Sequence, residues 1–141
     1  MNIYFACSIT GGRKDEHAYQ GIVTALLEDG CEVPTASLAD PEVLGHEKIL
    51  TPVEVYERDI AWIEGCDLLI AEVSTPSHGV GYEISYALGI GKPVFCVHQE
   101  GVTVSKMITG NTHPNINVMA YESIEQAIEF LVANVHSLLK T

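Results

Sequence analysis

The sequence predicts an α/β domain built on an open, doubly wound sheet of five parallel strands in a three-layer α/β/α arrangement. Three observations lead there. Short apolar runs alternate with segments of helical periodicity along the whole chain. The predicted strands are apolar throughout rather than alternating, as in a sheet covered on both faces. The 141 residues contain no linker, repeat or low-complexity tract, and their length allows one sizeable core, so residues 1–141 read as a single domain.

Each element can be justified in turn. Ile3 to Cys7 is a short buried strand, followed by the polar turn Ser8-Ile9-Thr10-Gly11-Gly12-Arg13. Tyr19, Ile22, Val23, Leu26 and Leu27 recur at helical spacing, and Gly30 ends that helix. Cys31-Glu32-Val33-Pro34 is a weak second strand, and Thr35 to Leu50 is a long loop with one helical turn. Thr51, Pro52 and Glu54 supply an N-cap, a first-position proline and a capping box for a helix reaching about Gly65. Asp67 to Val73 is the third strand, and Gly79 to Gly91 the next helix. Lys92 to Val97 is the fourth strand, with Pro93 at its start where no ladder donor is needed. A short helix over Val104 to Ile108, a fifth strand over Ile116 to Met119 and a last helix capped by Ser123 complete the chain.

The formal charge is 7 − 19 = −12, which opposes binding of a nucleic-acid polymer or an anionic membrane over a broad surface. A small phosphate ligand remains compatible, because a few amides and one Arg bind it locally. Cys7, Cys31, Cys66 and Cys96 form no C-x-x-C pair and border apolar segments, which suits buried thiols in a reducing cytoplasm. The six His show no metal-ligand spacing. No basic leader precedes the first strand and no apolar run is long enough to span a bilayer. The expectation is a cytoplasmic protein without metal or cofactor.

In doubly wound sheets the ligand crevice lies at the carboxyl ends of the strands. The turns Ser8–Arg13, Ser74–Gly81 and His98–Ser105 all open at that end. The most informative is Pro76-Ser77-His78-Gly79-Val80-Gly81-Tyr82-Glu83, where a buried strand gives way to a small-residue turn and a helix. Its glycines admit a ligand close to the backbone, and helix-start amides hold anions. Glu83 is expected two or three residues into the helix, where the dipole favours its ionised form, ready to act as a nucleophile at a sugar carbon. Acidic residues are common in first turns, so Glu83 alone is a weak signal.

Asp59 is the second carboxylate, on the edge of the apolar face made by Val55, Tyr56, Ile60, Trp62 and Ile63. Partial desolvation there would raise its pKa and suit it to donate a proton. An ordinary surface acid beside Glu57 and Arg58 fits the same spacing. As a pair the two acids mean more, since cleaving an N-glycosidic bond needs a carboxylate at the anomeric carbon and a proton for the departing base. Tyr4, on the first strand, is placed to orient a carboxylate. The Ser8–Arg13 turn has the composition of a cradle for one phosphate, and it is neither G-x-G-x-x-G nor a P-loop. Trp62 reads as core, and Met107 with Ile108 as an apolar contact between subunits.

Together these residues resemble the nucleoside 2-deoxyribosyltransferase superfamily, most nearly its 2′-deoxynucleoside 5′-phosphate N-hydrolases. The resemblance rests on Tyr4 to Arg13, Asp59 ahead of Trp62, Ala71-Glu72-Val73 leading into Pro76 to Glu83, and Ser105 to Gly110. It implies a flavodoxin-like sheet, with Glu83 as nucleophile, Asp59 as acid/base and Tyr4 supporting the site. It further implies phosphate contacts from Ser8, Gly12, Arg13, Ser77 and Gly79, and from Ser105 of a neighbouring subunit in a homodimer. Two departures leave the preferred base open: Thr35-Ala36-Ser37 where purine-specific relatives place a His, and His98 where they place an Arg.

The function expected is hydrolysis of a 2′-deoxynucleoside 5′-monophosphate to free base and 2-deoxyribose 5-phosphate through a glycosyl-enzyme intermediate. A deoxyribosyltransferase and a cytidine-nucleotide N-glycosidase are the alternatives. A nucleotide-binding protein without chemistry ranks below them, because binding alone does not need both Glu83 and Asp59.

Overall fold

A computed structural model describes residues 1–9, 15–39 and 49–140. In chain order these form β1 (Ile3–Ala6), α1 (Glu16–Glu28), a 3-10 turn (Ala36–Ala39), α2 (Pro52–Gly65), β2 (Leu68–Glu72), α3 (His78–Gly89), β3 (Val94–Gln99), α4 (Lys106–Thr109), β4 (Ile116–Tyr121) and α5 (Ile124–Leu139). The sheet is parallel, in the order β1-β2-β3-β4, with Tyr4 opposite Leu69, Ile70 opposite Phe95 and Val97 opposite Met119.

Among the described residues the strands number four, not the five expected. The segment expected as the second strand meets β1 in a single parallel bridge, Asn2 with Glu32. Ile3 N–H donates to the Glu32 carbonyl at 2.8 Å, but the next donor on that edge, Phe5 N–H, goes to the Thr35 hydroxyl at 2.9 Å. Pro34 has no N–H to extend a ladder, so a side chain replaces the backbone partner and the strand never forms.

The period of two along each strand sorts its side chains onto opposite faces. Ile3, Phe5, Leu68, Ile70, Phe95 and Val97 pack with Tyr19, Ile22 and Leu26 of α1 and Ala127, Leu131 and Val135 of α5. Tyr4, Ala6, Leu69, Ala71, Val94 and Cys96 pack with Ile63 of α2 and Val80, Ile84 and Ala87 of α3. Both faces are covered, giving the three layers expected. All four cysteines are buried, and none is in a disulfide.

The helix starts follow the sequence closely. The Thr51 hydroxyl accepts from Glu54 N–H at 3.1 Å while the Glu54 carboxylate accepts from Thr51 N–H at 3.3 Å, closing the capping box. Ser123 caps α5 through Gln126 N–H at 3.2 Å. Ser77 caps α3, accepting from Val80 N–H at 3.3 Å. This last cap corrects one expectation: α3 begins at His78, so its first turn holds no acid and Glu83 lies in the second turn.

Candidate active site

Three elements bring the expected catalytic residues together. Tyr4 is fully buried and faces the layer of α2 and α3. Glu83 descends from α3, half-buried, and accepts a hydrogen bond from the Tyr4 hydroxyl. Asp59 comes from α2, half-buried, with Arg58 Nε at 2.9 Å from its Oδ1. The Arg58 guanidinium also stacks 4.9 Å from the centre of the Trp62 ring.

Burial is the main force on Glu83, lifting its pKa from an ordinary 4.5 to about 7. The Tyr4 hydrogen bond favours the anion and opposes the rise, the Asp59 charge adds to it, and Arg58 pulls down. The expected stabilisation by the α3 dipole does not govern, because that effect fades beyond the first turn. Tyr4 itself is pushed well up, first by burial and then by the charges of Glu83 and Asp59, so it stays a hydrogen-bond donor. The two carboxylates and the tyrosine are therefore one coupled electrostatic unit. Such a unit can hold a proton near neutrality and present a carboxylate to a sugar.

Ser77 and Gly79 stand beside this unit. A Cβ on Gly79 would lie 3.6 Å from Glu83 Oε1 and 3.9 Å from Ser77 Oγ, so the glycine keeps the space between those two groups open. Ser77 and Ser105 line a cavity of about 800 Å³ between α3 and α4, whose apolar wall includes Val80, Ile84, Leu88 and Ile108. Ser105 caps the four-residue α4, accepting from Met107 N–H at 3.2 Å, and Met107 is 83% exposed on the cavity rim. Ser8 is fully buried just beyond β1. Gly12 and Arg13, expected at the phosphate, lie outside the described residues.

Sequence reasoning missed two features. Arg58 was legible as a cation adjoining a candidate acid, and it is the ion-pair partner of Asp59. The second is a buried polar network around Glu72 and Asp15. A carboxylate in the otherwise apolar run Leu68–Val73 was the available signal, because a buried charge must be paired. Among the described residues no cluster of His, Cys, Asp and Glu is disposed to hold a metal ion, and no helix is long and apolar enough to cross a membrane.

This chain belongs to the nucleoside 2-deoxyribosyltransferase family, whose sequence profile matches residues 3–119. It is 44% identical over 118 residues to a Methanococcoides burtonii protein named "Putative 2'-deoxynucleoside 5'-phosphate N-hydrolase 1", covering 84% of this chain and 97% of that one. It is 42% identical over 113 residues to the 5-hydroxymethyl-dUMP N-hydrolase of Mus musculus, covering 77% of this chain and 65% of that one. Among solved structures, a CMP N-glycosidase of Clostridium botulinum superposes with a TM-score of 0.69 at 22% identity, covering 93% of this chain and 98% of the other.

Proposed function

We propose that this protein hydrolyses the N-glycosidic bond of 2′-deoxynucleoside 5′-monophosphates, giving free base and 2-deoxyribose 5-phosphate. The single observation that carries the reading is the Tyr4–Glu83–Asp59 unit, in a chain similar across most of its length to proteins named as nucleotide N-hydrolases.

In this reading a Glu83 carboxylate oxygen bonds to C1′ as the C1′–N bond breaks, and its electron pair leaves on the base. Asp59 supplies the proton that the departing base needs. Water then attacks C1′, returns a proton to Asp59 and releases Glu83. Two displacements at C1′ retain configuration. Tyr4 holds Glu83 in line and, by donating to it, favours the ionised form that attacks. Ser8, Gly12, Arg13, Ser77 and Gly79 hold the 5′-phosphate.

The apolar cavity between α3 and α4, with Met107 exposed on its rim, supports a homodimer in which Ser105 of one subunit reaches the phosphate in the other. Buried cysteines outside disulfides support the cytoplasm as compartment. The framework is a flavodoxin-like sheet with its outermost strand reduced to the Glu32 bridge.

The test is release of free base, followed by chromatography, from a panel of deoxynucleoside and ribonucleoside monophosphates beside unphosphorylated nucleosides. Release from deoxynucleoside monophosphates alone is expected. Release only after a second base is added would make the protein a transferase, and preference for cytidine monophosphate would make it a ribonucleotide N-glycosidase. Tight nucleotide binding with no release would leave a binding protein.

A further inference from the structure

On the opposite face of the sheet from the Tyr4–Glu83–Asp59 unit lies a buried network that the proposed reaction does not use. Glu72, the last residue of β2, is fully enclosed and accepts from Ser74 N–H at 2.6 Å, from the Ser74 hydroxyl at 3.0 Å and from the Tyr121 hydroxyl at the end of β4. Ser74 Oγ in turn accepts from Gln99 N–H, at the end of β3, at 2.9 Å. The Gln99 side chain donates to Asp15 Oδ1 at 2.8 Å, and Thr75 Oγ1 donates to Asp15 Oδ2 at 2.6 Å. Asp15 immediately precedes α1 and makes no side-chain cap to it, its carboxylate being turned to Thr75 and Gln99 instead.

Placing two carboxylates inside a protein is expensive, and apolar residues of similar volume would stabilise the fold as well or better. The connectivity shows what the expense secures. Asp15 immediately precedes α1, and Thr75 directly precedes Pro76-Ser77 in the turn that follows β2. That turn carries Ser77 and Gly79, to which phosphate contacts are assigned. The Asp15–Thr75 bond ties the start of that turn to the start of α1, and Gln99 with Ser74 ties that bond to the ends of β2 and β3.

We propose that Asp15 and Thr75 are positioning residues for the 5′-phosphate, locking the Ser77–Gly79 turn in place, with Gln99, Ser74, Glu72 and Tyr121 as the frame that holds the lock. The inference rests on the nucleotide reading above and deepens it. Neither residue touches the reacting atoms. Their effect falls on how well the phosphate is held, and so on substrate affinity rather than on the turnover of bound substrate.

Thr75→Val keeps the side-chain volume and removes the donor. It is expected to raise KM for a deoxynucleoside 5′-monophosphate roughly tenfold, the affinity equivalent of about one hydrogen bond. Turnover at saturation is expected to stay within about twofold of the parent. Thr75→Ser, which restores the hydroxyl, returns KM to the parent value. Gln99→Met removes the other donor to Asp15 and moves KM in the same direction by less, providing a second reading if Thr75→Val folds poorly. Calorimetric binding of 2-deoxyribose 5-phosphate to each variant reports on phosphate binding without any reaction. A parent protein that binds this ligand but releases no base would overturn the hydrolase reading and leave the lock to be judged by binding. Unchanged affinity in both Thr75→Val and Gln99→Met, or a loss that Thr75→Ser does not rescue, would overturn the lock.

Discussion

Two glutamates, one on each face of the sheet, each accept a hydrogen bond from a buried tyrosine, yet the two pairs are built for different ends. Glu72 is sealed: three donors converge on its oxygens and none of its surface is exposed. Glu83 is half-buried and, among the described residues, takes one hydrogen bond, from Tyr4. Burial raises the pKa of both. A carboxylate whose two oxygens are both engaged and enclosed can orient its neighbours but presents nothing to a substrate. A carboxylate with an open oxygen beside a second acid has a reactive edge, and that opening is what distinguishes an active site from a structural network made of the same groups.

The sharpest way to break this contrast is to neutralise the open carboxylate. Glu83→Gln is expected to reduce base release by about a thousandfold or more, as losing a covalent nucleophile does. It should also stabilise the protein above neutrality. With a folded pKa of about 7 against an ordinary 4.5, the folded chain holds a proton that the unfolded chain releases, so the parent loses stability as pH rises through that window. The loss is complete by about pH 8 and is on the order of 3 kcal/mol at most. Thermal melts should therefore show Glu83→Gln above the parent at pH 8 and level with it at pH 4. An inactive variant that is no more stable at pH 8 would mean that Glu83 is not desolvated. Near-full activity would remove it from the chemistry. Asp59→Asn comes next, with an expected loss of about a hundredfold, within the range of general acid catalysis. That loss should shrink for substrates whose base departs without needing a proton.

The tyrosines sharpen the comparison. Tyr4→Phe removes the bond that favours ionised Glu83, so the acid limb of kcat/KM, expected at about pH 7, should move to higher pH. Activity at pH 7 falls about fivefold if the limb moves by one unit. Tyr121→Phe leaves that limb in place and costs about 1–3 kcal/mol of stability, because Glu72 loses one of its donors inside the core. Equal pH profiles for the two variants would show that the two pairs are not distinct.

Legibility in the sequence followed the same division. The layers and the capping box at Thr51 were readable, since they depend on periodicity and on short motifs that act locally, whereas the meeting of Tyr4, Asp59 and Glu83 was expected through the family resemblance. The strand expected over Cys31–Pro34 failed at two neighbouring residues: Pro34 has no N–H for the ladder, and Thr35 offers its hydroxyl where a backbone carbonyl was expected, an exchange that no pattern of apolar residues reveals. Glu83 was expected under the influence of a helix start, but Ser77 caps α3 six residues before Glu83, which therefore lies in the second turn, and burial decides its titration. The Asp15–Thr75 bond joins residues 60 apart in sequence and appears only when the chain is folded.

The smallest expected effect tests the opening itself. In Gly79→Ala the added methyl sits 3.6 Å from Glu83 Oε1 and 3.9 Å from Ser77 Oγ, ordinary contact distances that the fold tolerates without strain. Alanine is the better helix former, so the variant should melt slightly higher, by up to about 1 kcal/mol in stability. The methyl nevertheless fills the space through which a ligand meets both groups. KM should rise by about threefold to tenfold, which corresponds to less than 1.4 kcal/mol of affinity. Gly65→Ala, at the end of α2 where an added Cβ meets nothing within 4 Å, supplies the control: a similar gain in helix propensity with no change in KM. If both variants gain stability and neither loses affinity, the gap beside Glu83 is not where substrate enters. If Gly79→Ala alone loses affinity while gaining stability, the glycine is retained at the expense of the helix to keep the carboxylate accessible, and accessibility rather than the tyrosine–glutamate pair as such marks the reactive face.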